Sequence, residues 1–183
     1  MRPFFVSFGS GKINPMIKLF LTVFLFTLFI GVASAQKETR KSSGTAFSLG
    51  AELSLPVGLF GQVYSSGIGA SVQENFVINK QIALIIFAAY INYSLKNTYG
   101  GGSNGYIPVL GGVEVSISPL IFASARLGVT FRTQGLGTTF TYSPGIGFRI
   151  SRNFTALLKY VGQTRSAINS SSVGLRAAYV FGK

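Results

Sequence analysis

Residues Thr45–Val57 read TAFSLGAELSLPV, and their period is two. Phe47, Leu49, Ala51, Leu53 and Leu55 fall on one side, with Ala46, Ser48, Gly50, Glu52 and Ser54 on the other. Successive side chains of a strand point to opposite faces, so this stretch is a strand with one apolar face and one small or polar face.

The same split recurs to the end of the chain. Ile107, Val109, Val113, Val115 and Ile117 oppose Pro108, Leu110, Gly112, Glu114 and Ser116. Ala123, Ala125, Leu127, Val129 and Phe131 oppose Ser124, Arg126, Gly128, Thr130 and Arg132. Segments starting near Phe140, Phe154 and Val173 repeat it, with Arg149, Lys159 and Arg176 on their polar sides. Residues 64–76 alternate only through their middle. Residues 81–93 are apolar on both faces, which periodicity alone would also allow for a buried helix. Their β-branched and aromatic content, and their place between strands, favour a strand. The expectation is eight strands in one domain, residues 45–183.

The connections point the same way. Strands 2–3, 4–5 and 6–7 meet at tight turns, Asn79-Lys80, Ser118-Pro119 and Ser151-Arg152-Asn153. The other joints, residues 58–63, 94–105, 133–137 and 163–170, are longer on average, and the glycine-rich 94–105 reads as a flexible loop. An even strand number with short turns on one rim and longer loops on the other is the pattern of an outer-membrane barrel.

Alternation does not say which face meets solvent, but the polar face does. It is mostly Gly, Ser, Thr and Ala with isolated charges, and charged residues are only 11% of the chain. A water-facing surface would hold about 25–35% Lys, Arg, Glu and Asp. Small side chains suit the narrow lumen of an eight-stranded barrel. The apolar faces then meet lipid, and closure is obligatory because an open edge would leave backbone groups unpaired. Tyr64, Tyr90, Tyr106, Tyr142, Tyr160 and Tyr179 fall on or near strands and are candidates for interfacial girdles.

The N-terminal part reads as an address. Residues 17–32, IKLFLTVFLFTLFIGV, follow a basic start and precede Ala33-Ser34-Ala35, which together describe a cleavable secretory signal peptide, residues 1–35. Met16-Ile17-Lys18 would itself make a compact positive start, leaving residues 1–15 as upstream sequence if translation begins at Met16. Residues 36–44 form a polar periplasmic leader.

At this level the chain resembles the small outer-membrane protein β-barrel domain family, eight-stranded barrels like the OmpA transmembrane domain. The resemblance is carried by residues 55–61 (LPVGLFG), 106–110 (YIPVL), 142–148 (YSPGIGF) and 174–181 (GLRAAYVF). It implies an eight-stranded antiparallel transmembrane up-and-down barrel, all-β, in the cell outer membrane, with short turns periplasmic and longer loops extracellular.

The residue inventory limits the chemistry. His and Cys number zero, and the four acids are all glutamates, Glu38, Glu52, Glu74 and Glu114. A Ser-His-Asp triad, a zinc site, a thiol nucleophile and an aspartic dyad each lack a required side chain. No enzyme activity, cofactor or metal is expected. The formal net charge of +12 is dispersed over strands and rims without a stacking platform, so no nucleic-acid partner is expected.

With polar faces inward, Glu52, Glu114, Arg126, Arg149, Lys159 and Arg176 meet in the lumen as a charge network that plugs the barrel. Two acids cannot neutralise four bases, so water, Tyr hydroxyls or a bound anion must share that role. Lys96, Arg132 and Arg165 lie at the expected outer rim, where they could face lipopolysaccharide phosphates. The leading expectation is a non-enzymatic, monomeric envelope protein with a structural or surface-interaction role. The alternative is a narrow, anion-leaning pore for small solutes. The expected partners are outer-membrane lipid and lipopolysaccharide, with the barrel-assembly machinery and periplasmic chaperones during biogenesis.

Overall fold

The structure, a computed structural model, describes residues 44–134, 137–165 and 168–181. The expected signal peptide (1–35) and residues 36–43 of the leader lie outside the described residues, as do the side chains of Arg165, Ile168 and Asn169.

Eight strands form: β1 (Thr45–Val57), β2 (Tyr64–Val77), β3 (Ile82–Leu95), β4 (Ser103–Ser116), β5 (Ile121–Arg132), β6 (Thr138–Arg149), β7 (Phe154–Arg165) and β8 (Ile168–Phe181). Each pairs antiparallel with its neighbour in sequence, and β8 returns to β1 to close the barrel. Glu52 of β1 lies opposite Arg176 of β8 across that seam. The two-residue period sets the polarity as expected. Leu53, Ile68 and Leu127 stand outside at 54%, 62% and 60% exposure, whereas Glu52, Arg126 and Thr130 inside are at 1% or less. Strands of 12–14 residues exceed the roughly 9–11 needed to cross a bilayer at a tilt.

The twofold-apolar segment is strand β3, and its inner face lines one wall of the lumen with Ile85, Phe87, Ala89, Ile91 and Tyr93. Outside, aromatic side chains gather in two zones. Phe154, Tyr179, Phe181 and Phe47 pack in a chain near the turn rim, at ring separations of 4.8–6.0 Å. Tyr90, Tyr142 and Tyr160 stand outward in the loop half. Tyr64 and Tyr106, expected as girdle candidates, turn inward instead and are buried. A bulge between Tyr64 and Ser66 shifts the register of β2 and brings Tyr64 inside. Tyr106 simply shares the parity of Pro108 and Leu110.

The three turns share one design. Each is four residues long (78–81, 117–120 and 150–153) rather than the two or three expected. In each, the side-chain oxygen at the second position accepts two backbone N–H groups. Asn79 Oδ1 accepts from Gln81 and Ile82, Ser118 Oγ from Leu120 and Ile121, and Ser151 Oγ from Asn153 and Phe154. These side chains satisfy donors the sheet ladder leaves behind.

The opposite rim is less elaborate than its sequence suggested. Pairing of Ser94 with Ser103 and Asn92 with Gly105 shortens the 94–105 connection to residues 96–102. Gly100, Gly101 and Gly102 all adopt positive φ there, which explains the triple glycine by backbone conformation. The 163–170 connection is mostly strand, because β7 and β8 run on to Arg165 and Ile168. Residues Gly58–Val63 form a short helix, α1, rather than an open loop.

Aromatic rings cover glycines on the next strand at three places: Phe122 opposite Gly147, Tyr142 opposite Gly162, and Tyr93 opposite Gly67. A Cβ at Gly147 would overlap the Phe122 ring. Gly147→Val is therefore expected to displace Phe122 and cost about 1–3 kcal/mol by overpacking, read from urea unfolding of the refolded barrel.

Candidate functional site

The lumen is built in three layers. At the loop end, α1 folds over the barrel mouth and drops Phe60 inside, its ring 4.7 Å from Tyr64, 5.1 Å from Tyr93 and 5.9 Å from Tyr106. Tyr93 shares a 2.8 Å hydrogen bond with Ser54, and Asn104 donates to the Tyr64 hydroxyl at 2.6 Å. The aromatic bodies pack while their hydroxyls remain paired.

In the middle layer, β1 contributes Glu52, β3 Phe87, β5 Arg126, β7 Lys159 and β8 Arg176. Lys159 Nζ lies 2.8 Å from Glu52 Oε2, and Arg176 Nε lies 3.5 Å from Oε1. Neither carboxylate oxygen receives a well-aligned hydrogen bond, so the contact is an ion pair held by charge and burial. Arg176 donates to Ser71 Oγ at 2.9 Å and to Ser48 Oγ at 3.0 Å. All three cations converge on one ring: Arg126 at 4.7 Å, Lys159 at 4.8 Å and Arg176 at 5.9 Å from the Phe87 centroid. A desolvated cation over an aromatic face gains on the order of 2 kcal/mol.

Nearest the turns, Arg149 Nη2 donates to Glu114 Oε1 at 3.0 Å and to Ser116 Oγ at 2.9 Å, and Asn75 Nδ2 donates to Glu114 Oε2 at 3.2 Å. The Arg149 guanidinium also lies over Phe122 at 5.0 Å.

Thus the six lumen charges named from the sequence all point inward, but they divide into two groups. Glu52, Lys159, Arg176 and Arg126 form the middle layer, and Glu114 with Arg149 forms a separate pair toward the turns. The aromatic partner Phe87 was missed, because a strand apolar on both faces gives no parity signal for the inward side. Two residues of the expected lipopolysaccharide-facing rim, Lys96 and Arg132, have partners within the barrel. Lys96 Nζ donates to the Gly61 carbonyl at 2.6 Å and so holds α1 in place. Arg132 lies on the inward register with its guanidinium 5.4 Å from the Tyr106 ring. Arg165 ends β7, and its side chain lies outside the described residues.

Burial bears on the pore. A water-filled passage would wet its wall, yet Glu52, Phe87 and Arg126 are each only 1% exposed. Cavities of about 40 and 20 Å³ flank the middle layer on its turn side and loop side. The described lumen is thus packed closely around its middle layer, with small voids on either side.

No protein-family model matches the sequence, and no curated protein matches it. Among solved structures, the chain is similar to Ail, the attachment invasion locus protein of Yersinia pestis. The identity is 16% over 77% of this chain and 100% of that one, at a TM-score of 0.56. It is also similar to the N-terminal β-barrel domain of Pseudomonas aeruginosa OprF, at 12% identity over 74% of this chain and 97% of that one, TM-score 0.55. A barrel from the de novo design of transmembrane β-barrels matches at 14% identity over 79% of this chain and 99% of that one, TM-score 0.50. At these identities the likeness shows the fold, an eight-stranded antiparallel barrel of the kind found in outer membranes.

Proposed function

We propose that the chain is an integral outer-membrane protein with a non-enzymatic, structural or surface-interaction role, its turns in the periplasm and its α1-bearing rim outside. One observation supports this above the others. The barrel wall is largely apolar outside and carries its buried charges inside, the inverse of a soluble barrel. The exterior would meet membrane lipid, and lipopolysaccharide would contact the loop rim. The barrel-assembly machinery and periplasmic chaperones would act during biogenesis. A sealed lumen leaves the rim as the surface through which such a protein acts.

The test combines heat-dependent gel mobility with planar-bilayer recording. Refolded barrel is expected to migrate differently before and after boiling and to give a silent bilayer. Phe60→Ala removes the loop-end plug but leaves the middle layer, so it is expected to be silent too. Discrete, salt-dependent openings from the folded parent would overturn the sealed-barrel reading in favour of a pore.

A further inference from the structure

The turn-side cavity is lined by three guanidinium groups, Arg126, Arg149 and Arg176, against a single carboxylate, Glu114. That carboxylate is already engaged, with Oε1 accepting from Arg149 and Oε2 from Asn75. Glu52 is committed on the far side of Arg176 to Lys159 and Arg176, and Glu74 is paired with outward-facing Ile86 in the register. The cavity thus carries a local excess of two positive charges.

Arg126 is the decisive residue. It is 1% exposed, and its Nε, Nη1 and Nη2 find no acceptor among the described residues. Its Cζ lies over the Phe87 ring, 4.7 Å from the centroid, a contact that supplies no oxygen acceptor to its five N–H donors. An uncompensated buried charge costs several kcal/mol, so a partner of opposite sign is strongly favoured.

We infer that this cavity is a binding site for one small tetrahedral oxyanion, phosphate or sulfate, held chiefly by Arg126 with Arg149 and Arg176 beside it. Guanidinium forks match such oxyanions in geometry and charge. The cavity holds about 40 Å³, where a single water needs roughly 10–15 Å³, so a group of a few heavy atoms fits. Access is from the turn rim, since the lining includes Arg149, the last residue of β6, and Ala46, the second of β1. The middle layer closes the other end, making the site a blind pocket and not a stage in a permeation path. The inference rests on the fold and the lumen, and it stands whether or not the surface role proposed above is correct.

The test is calorimetric titration of the refolded barrel in zwitterionic detergent with inorganic phosphate, and separately with sulfate, at constant ionic strength. One saturable site per barrel is expected, with a thermal midpoint that rises with the anion because the ligand binds only the folded form. Arg126→Met should weaken binding at least tenfold. Ala46→Leu keeps every charge and fills the cavity instead, and it should weaken binding similarly, so failure of one variant to fold leaves the other decisive. Absence of saturable heat in the parent would overturn the site, as would equal binding in both folded variants. Chloride competing as strongly as phosphate at equal ionic strength would overturn the oxyanion assignment.

Discussion

Glu52→Gln is expected to destabilise the barrel by about 3–5 kcal/mol, read as a lowered urea midpoint in detergent and a lost heat-modifiable band. The amide matches the carboxylate in size, so packing is preserved and only the charge is removed. Lys159, at 2.8 Å, and Arg176, at 3.5 Å, would then be buried beside Arg126 with no carboxylate in their layer. Water cannot screen them, because each is at most 5% exposed. Glu114→Gln supplies the contrast. Its pair with Arg149 is partly exposed, 20% and 12% for the two side chains, so its loss is expected to cost only about 1 kcal/mol. Adding Lys159→Met to Glu52→Gln should recover part of the loss, since it removes one of the two cations Glu52 faced while Arg176 keeps its charge. A Glu52→Gln barrel as stable as its parent would show that the middle layer is not held by charge.

The legible part of this molecule was what parity encodes. Alternation in β1 put Glu52 inside and Leu53 outside, and the same rule located all six lumen charges. Tyr106 was equally readable, sharing its parity with Leu110, but its aromatic character suggested a girdle. Tyr64 was not readable, because a bulge one residue long reverses a side chain's face without any mark in the hydropathy pattern. Nor was α1. Six residues are too few for a helical period to register, and the cue was only an apolar Phe60 in a segment taken for a loop. The turn design was visible in hindsight as Ile followed by Asn or Ser at residues 78–79, 117–118 and 150–151, where the second side chain accepts from the backbone. Pairing among the lumen charges lay beyond sequence reach, since it depends on strand stagger around a closed barrel.

Phe87 carries the second large effect, and its size separates packing from electrostatics. Phe87→Leu keeps an apolar side chain on the inner face of β3 but removes the ring quadrupole under three cations. At about 0.5–2 kcal/mol per desolvated cation–π contact, with Arg176 the most distant at 5.9 Å, the expected loss is about 2–4 kcal/mol. Phe87→Ala adds a cavity in a site only 1% exposed, and its loss is expected to reach about 5 kcal/mol or more. The cycle with Arg126→Met decides the cause. If the ring acts as a partner for the guanidinium, Phe87→Leu costs less once Arg126 is Met, because one of the three cations over the ring has gone. Urea unfolding of the four barrels should then give a coupling of about 1–2 kcal/mol. Additive losses would mean that Phe87 serves only as filler, and that Arg126 draws its compensation from the turn-side cavity alone.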